Sequence, residues 1–283
     1  MLQMNSAKPS ESINDTPKSL TVGASVDVLL GALRLDVWGR LGWLEIRRRY
    51  RRTVIGPFWS AISLAMFVVA LGLVGSGLWG QQAGEYMTFL AAGFVVWVTF
   101  SSMLVESCLL FINSSNIFGQ VQLNYSILAY ALVWRNLITF GHNFVVYVIL
   151  VLIFAPQYLG TVTLLAIPGL ALILFNGIWI ALLLGMLSLR YRDIQQLVAS
   201  VVQIAMFVTP IFWPPEALKA SGRSLVFVDY NPLYHFINIA RAPLLGEVPT
   251  TQNYIVVFVC TIVGWGCAMA IFAHFRKRIA YWK

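Results

Sequence analysis

The chain of 283 residues is 59% hydrophobic and 11% charged, which excludes an ordinary soluble domain, where about a quarter of the residues carry charge. Its net charge of +8 is concentrated at the ends of long uncharged stretches. Cations at such positions meet lipid headgroups, so the basic balance does not indicate nucleic-acid binding. Uncharged runs of about 20 residues cross a bilayer as helices. We therefore expect an all-α membrane protein.

The N-terminal part changes character twice. We expect residues 1–32 to be a flexible cytoplasmic tail and residues 33–52 to be an amphipathic helix on the membrane interface. That helix ends in five arginines within six positions, Arg47, Arg48, Arg49, Arg51 and Arg52. The next charged residue is Glu85. Orientation alone does not require so many arginines, so we also expect a partner or headgroup contact here.

Residues 53–283 are predicted to form a domain of six membrane spans. The predicted spans are 57–79, 86–112, 136–154, 161–187, 194–213 and 254–275. Lys and Arg are concentrated on the side that holds both termini, so the positive-inside rule places both termini in the cytoplasm.

No motif in the sequence indicates catalysis by this chain. A glycine-rich phosphate loop and a zinc signature are both missing, and the three cysteines and three histidines show no metal spacing. We expect no catalytic residue, metal or cofactor on this chain. Glu106 is the one acid within a predicted span, and we favour a structural ion pair over proton coupling for it. The scarcity of membrane charges favours a transporter driven by another protein.

Two connections differ from plain loops. The turn after the fourth predicted span, residues 190–194, mixes both charge signs with an aromatic ring, which a protein partner can read. Residues 214–250, predicted to be external, are too apolar for a solvated loop and too interrupted for a span. Such segments re-enter a membrane only where protein shields them, so we predict short external gate helices there.

Four short stretches carry a resemblance to a known family. They are RYRRTVIGPFW at 49–59, RYRDI at 190–194, TPIFW at 209–213 and NPLY at 231–234. With these stretches the chain resembles the membrane subunit of polysaccharide-exporting ATP-binding-cassette transporters, the type-two exporter permeases, and looks most like O-antigen export permeases. The likeness runs from about residue 33 to the C-terminus.

The resemblance implies a homodimeric permease in the inner (cytoplasmic) membrane of a bacterium. Two separate ATPase subunits would bind ATP and Mg, and the dimer would export a lipid-linked glycan, most simply O-antigen. Arg47–Arg52 would meet the phosphate of the lipid carrier at the entrance. A coupling helix would contact the ATPase through Arg190, Tyr191, Arg192, Asp193 and Ile194. The external gate would include Tyr230, Pro232, Tyr234, Phe236 and Arg241.

Aromatic side chains are candidates for the channel wall, because sugar rings stack on them without a fixed register. The candidates are Phe58, Trp59, Trp97, Phe100, Phe207, Phe212 and Trp213. The competing interpretation is the aromatic belt that membrane proteins place at both interfaces.

Other functions stay open at this point. The same architecture could export capsule or teichoic acid, or a drug or small lipid. A membrane-embedded glycosyl or lipid transferase is the alternative from another class. It would need clustered carboxylates, and Glu85, Glu216, Asp229 and Glu247 are not spaced as a motif.

Overall fold

The computed structural model describes residues 23–114, 124–215 and 226–276, and these residues form helices and turns without a strand. Two short 3-10 turns, Pro156–Tyr158 and Thr161–Leu165, join α6 to α7. The α-helices are α1 Ala24–Leu33, α2 Leu35–Arg49, α3 Phe58–Trp79, α4 Ala83–Cys108, α5 Leu110–Asn113, α6 Ser126–Phe154, α7 Ala166–Arg190, α8 Asp193–Val208, α9 Val226–Asp229, α10 Pro232–Leu244 and α11 Thr251–Phe275.

The described helices confirm an all-α membrane protein. Five of them are long and apolar enough to cross a membrane: α3, α4, α6, α7 with its preceding turn, and α11. Helix α8 is apolar but has 16 residues. At about 1.5 Å per residue it spans about 24 Å, less than a hydrocarbon core of about 30 Å. The sixth span, and the cytoplasmic side of the termini, therefore stay predictions.

Helix α4 is the centre of the bundle and contacts α3, α6, α7, α8 and α10. Of its most apolar stretch 67% is buried, against 28% for α3 and for α11. No residue of α4 is exposed in the subunit, as expected for an interior helix. The outer helices α3 and α11 leave apolar side chains exposed, and such faces suit lipid or another subunit.

Helix α6 begins ten residues before the predicted start of the third span at 136, and the bounds of the span within this helix stay a prediction. The prediction stopped at the charge of Arg135. In the structure two carboxylates on other helices pair with this guanidinium, so a cation inside the helix is tolerated. Helix α4 likewise ends at 108 rather than 112, and α5 follows after a break at Leu109.

The predicted tail of residues 1–32 is also wrong in part, because residues 24–32 belong to α1; residues 1–22 lie outside the described part of the chain. Helix α1 packs against α6 and α11. At Gly31 the helix comes so close to α6 that a Cβ atom would overlap the Ser126 hydroxyl. Glycine is required there by the packing of the two helices.

The amphipathic helix exists as α2, but its buried face lies against α6 rather than in lipid. The indole ring of Trp38 lies 6.2 Å from the ring of Tyr130 and 5.8 Å from that of Trp134. Trp43 and Leu44 remain exposed and can contact a membrane surface. Helix α2 is thus fixed to the bundle along one face and free along the other.

At the other end of the bundle, α10 occupies the middle of the predicted gate segment. It packs against α4, α7 and α11, and most of its residues are buried. Gly169 of α7 allows this contact, because a Cβ there would overlap the carbonyl of Ile239. Helix α10 is therefore part of the protein core. Residues 216–225 of the predicted gate lie outside the described residues.

Candidate translocation site

The arginine cluster at the end of α2 divides into two groups. Arg47, Arg48, Arg51 and Arg52 are exposed. Arg49 is exposed as well, with 48% of its side chain accessible, but it also donates from Nη2 to Glu106 Oε1 at 2.7 Å. Burial lowers the pKa of Arg49, but the bond and the attraction to Glu106 outweigh it and raise the pKa above its usual value. Arg49 therefore contributes to the fold through this ion pair, and its contact with substrate stays a prediction.

Glu106 is the hub of an ion network between three helices. Its Oε2 accepts from Arg135 Nη2 at 2.6 Å and from Asn136 Nδ2 at 3.1 Å. Arg135 also pairs with Glu45 of α2. The network ties α2, α4 and α6 together, as the ion-pair interpretation of Glu106 required. Sequence reasoning missed Glu45 and Asn136, whose partners are distant in the chain.

The turn from α7 to α8 is shorter than predicted. Arg190 is still the last residue of α7, Tyr191 is extended, and α8 starts at Asp193. The prediction of a separate coupling helix at 190–194 is therefore wrong. The Arg190 guanidinium carbon lies 5.4 Å from the centre of the exposed Tyr191 ring. The corner presents an aromatic ring between charges of both signs, a surface that a partner protein can recognise.

Helix α8 has a polar stripe that sequence reasoning missed. No residue of this helix is buried. Gln196, Ser200 and Gln203 are exposed, and their spacing of four and three positions puts them on one face with the exposed Phe207. Polar side chains in membrane helices face protein or a water-filled cavity rather than lipid. The spacing of these residues in the sequence could have revealed the stripe.

The seven candidate aromatics do not form one surface. Phe58, Trp59 and Phe207 are exposed, and Phe212 is partly buried. Phe58 and Trp59 start α3 beside the arginine cluster, whereas Phe207 and Phe212 lie at the far end of α8, with ring centres 5.8 Å apart. Only part of the predicted channel wall is therefore available at the surface of the subunit.

The other three aromatics are core residues, which contradicts their placement on a channel wall. Trp97 and Phe100 of α4 are buried, and Phe100 stacks on Phe236 of α10 with 5.2 Å between ring centres. Trp213 is buried and donates its indole N–H to the Phe207 carbonyl at 3.1 Å. Trp97 and Phe100 fill space between α4 and its neighbours, and Trp213 is buried in the segment that follows α8.

The gate residues divide in the same way. Tyr230 and Pro232 are exposed and Tyr234 is partly buried, but Phe236 and Arg241 are buried. Phe236 and Arg241 are therefore held inside the bundle by packing. Arg241 donates from Nη1 to the carbonyl of Pro210, and its guanidinium lies 5.1 Å from the centre of the Phe89 ring.

Two of the short stretches that carry the resemblance meet in space. Asn231 caps α10 by accepting from the Leu233 N–H at 3.0 Å, and its Nδ2 donates to Thr209 Oγ1 at 2.9 Å. The residues TPIFW and NPLY thus hold the end of α8 against the start of α10. Pro232 suits the first helical turn, where an N–H has no partner within the helix.

The ends of the described chain are joined by a buried ion pair. Arg276 Nη2 lies 2.6 Å from Asp27 Oδ2, with the side chains 4% and 0% exposed. The Ser126 N–H also donates to Asp27 Oδ1 at 3.1 Å. Sequence reasoning placed Asp27 in a tail and missed this pair, for which the sequence gives no local signal.

Comparison with known proteins gives a family. Residues 37–245 match the ABC-2 type transporter family. A relative from Myxococcus xanthus, described as "O-antigen export system permease protein RfbA", is 18% identical over 237 residues, which cover 83% of this chain and 91% of the relative. The match begins at the third residue of α2 and includes the turn into α8 and α10. The chain therefore belongs to the ABC-2 type transporter family, as a membrane permease that resembles O-antigen export permeases.

Proposed function

We propose that this chain is the channel-forming subunit of an ATP-driven exporter that moves a lipid-linked polysaccharide, O-antigen, across the cytoplasmic membrane of a bacterium. The observation that carries the channel is the polar stripe of α8. The family supports transport, and the description of the relative from Myxococcus xanthus as an O-antigen export permease supports the substrate. Both termini and the arginine cluster lie on the cytoplasmic side in this proposal.

The channel forms between two copies of the chain. Helix α8 buries no residue within its own subunit, and its exposed face has two parts. Gln196, Ser200 and Gln203 form the polar part, and beside it Leu197, Val201, Ile204 and Val208 form an apolar part. In a homodimer the apolar part packs on the second copy, and the polar part faces the water-filled path of the glycan.

The energy comes from two ATPase subunits that bind ATP and Mg and dock on the corner at Tyr191. This corner is exposed, carries both charge signs and leads directly into the first turn of α8 at Asp193. Closure of the ATPase pair would push the corner and move α8 with it. The family supports such a partner, because its description is that of an ABC transporter.

The exposed arginines receive the phosphate of the lipid carrier. Guanidinium groups form paired hydrogen bonds with phosphate oxygens, and Arg47, Arg48, Arg51 and Arg52 are exposed beside the start of α3. Phe58 and Trp59 lie next to them and offer aromatic faces to the first sugars. The glycan would then pass to Phe207 at the other end of α8.

Capsule and teichoic acid export by the same architecture differ only in the glycan. A membrane-embedded glycosyl or lipid transferase is the contrasting function, and it would act without an ATPase. Copurification and gene deletion distinguish the three export substrates and the transferase from one another.

The experiment tags the chain in its host cell, purifies it from membranes and identifies copurifying proteins by mass spectrometry. We expect an ABC ATPase in the complex. Deletion of the gene should remove surface O-antigen, while lipid-linked O-antigen accumulates inside the cell. If the deletion removes capsule or teichoic acid instead, that glycan is the exported substrate. If the purified chain transfers glycosyl groups without an ATPase, the chain is a transferase and the export proposal is wrong.

A further inference from the structure

A cavity of about 420 Å³ opens at the end of the bundle opposite the arginine cluster. Its wall is built by the α3–α4 turn, the first turns of α4, Tyr158, α10 and the residues that follow α10. The volume lies within the range of about 300–1,000 Å³ of small-molecule sites. The cavity lies within one subunit and is distinct from the stripe on α8.

Hydrogen-bonding side chains line much of this wall. Gln81, Gln82 and Asn238 contribute amides, each with donors and an acceptor. Arg241 forms part of the wall and is held in place by the Pro210 carbonyl and the Phe89 ring. Its Nη2 also donates to Asn238 Oδ1 at 3.4 Å, which orients that amide. Arg241 and Asn238 are therefore held in place before a ligand arrives, and Gln81 and Gln82 are exposed at the same wall.

Two carboxylates complete the wall, Glu85 and Glu247. Burial, together with the negative charges of Glu85 and Glu247, raises the pKa of Tyr158 above its usual value. The Tyr158 hydroxyl therefore stays protonated and can donate. An anion is disfavoured here by the carboxylates, and a small cation is disfavoured by the Arg241 guanidinium. An apolar ligand would take water away from the amides and charged groups of the wall without offering them a hydrogen bond in return.

A neutral ligand with many hydroxyl groups satisfies this wall. A hydroxyl both donates and accepts, so it can pair with amides, carboxylates and a guanidinium alike. Tyr158 and Tyr234 add aromatic side chains that can contact the C–H face of a sugar ring. We propose that this cavity is a saccharide-binding site that holds one short segment of a glycan; its assignment to the exported chain rests on the proposed function.

The test measures binding by the chain alone, in lipid nanodiscs prepared without sugar-headed detergent. The probes are glucose, N-acetylglucosamine and maltose, and the readout is saturation-transfer NMR from the protein to the sugar. We expect saturable, millimolar binding of at least one probe. The double variant Gln82→Ala/Asn238→Ala should weaken it about tenfold, the effect of two lost hydrogen bonds. Leu245→Trp, which fills the cavity, should abolish it.

The matched control is Gln157→Ala, an exposed glutamine at the same end that does not line the cavity. It should bind like the wild type, and thermal unfolding should show that all variants are folded. Three results would overturn the site: no saturable transfer, equal binding by the double variant, or displacement of the sugar by inorganic phosphate. If a second copy of the chain covers the cavity, no sugar can enter and no saturable transfer is seen.

This assay uses no ATPase and no export. If the cell exports O-antigen through the chain but the chain binds no sugar, only the saccharide site fails. If the chain binds sugar at this cavity but the deletion leaves surface glycans unchanged, the proposed function fails and the site stands.

Discussion

Arginines that are adjacent in the sequence have different surroundings in the structure. Arg48, Arg49 and Arg51 are all exposed, and Arg49 is in addition bonded to Glu106. The cluster is visible in the sequence as a run, but its division is not, because Glu106 is 57 residues away. Single residues of the cluster therefore have separable roles, one in holding α2 and the others in contact with a ligand.

Charge reversal tests this division. Arg48→Glu with Arg51→Glu should abolish glycan export by repelling the carrier phosphate, while membrane insertion, dimerisation and thermal stability remain. Arg49→Ala should instead lower the unfolding temperature of the purified chain, because Glu106 loses one of its partners. The measurements are surface glycan on gels and thermal unfolding in detergent. Normal export by the double variant would refute phosphate docking.

At the scale of the element, α8 carries a polar stripe and an apolar stripe on its 16 residues, and the docking corner at Tyr191 lies directly before its first turn. Its environment differs from that of α3 and α11, whose exposed faces are mostly apolar. The hydropathy of α8 predicted a span. Which face of α8 is left exposed depends on how the other helices pack against it, and hydropathy does not show this packing.

Thiol labelling distinguishes water from lipid or protein beside α8. In a chain whose Cys108, Cys260 and Cys267 are replaced, Gln203→Cys should react with a charged maleimide, because a thiol must ionise in water to react. The neighbouring Ile204→Cys should react at least about tenfold more slowly, since it faces the second copy. Ile204 is 63% exposed in the single subunit, so slow labelling there would have to come from the second copy. Equal labelling rates in the two variants would argue against the channel.

The corner between α7 and α8 gives a second test at this scale. Tyr191→Ala should reduce copurification of the ATPase several-fold without changing thermal stability, because the ring is exposed and fills no cavity in the subunit. Trp43→Ala removes another exposed ring at the same end of the bundle and serves as the control. Unchanged ATPase recovery with Tyr191→Ala would move the docking surface elsewhere.

For the whole molecule, apolar run length predicted most of the membrane helices, and α3 and α11 lie within three residues of their predicted bounds. The helix ends that the sequence did not predict depend on ion pairs between residues that are distant in the chain. The start of α6 was missed because Glu45 and Glu106 neutralise Arg135, and α1 was missed because Asp27 pairs with a residue 249 positions away. The burial of Trp97 and Phe100 likewise follows from the central place of α4, which hydropathy does not show.

The Asp27–Arg276 pair should contribute strongly to stability. Asp27→Ala leaves a buried guanidinium without its carboxylate, which costs about 3–5 kcal/mol for a pair of this kind. Thermal and denaturant unfolding of the purified chain measure the loss, with the exposed Asp36→Ala as the control. The double variant Asp27→Ala/Arg276→Ala should lose less than the sum of the two single variants. Additive losses would mean that the pair is not coupled.

The connection between α7 and α8 has one further consequence. Only Tyr191 and Arg192 separate two helices, so the joint contains no flexible residues that could stretch when a partner pushes on it. Two glycines inserted after Tyr191 would introduce slack at this joint while leaving both helices and the bundle intact. We expect such a chain to keep its ATPase partner and the ATP hydrolysis of that partner, yet to export no glycan. Hydrolysis would then be uncoupled from transport, because movement of the partner no longer displaces α8.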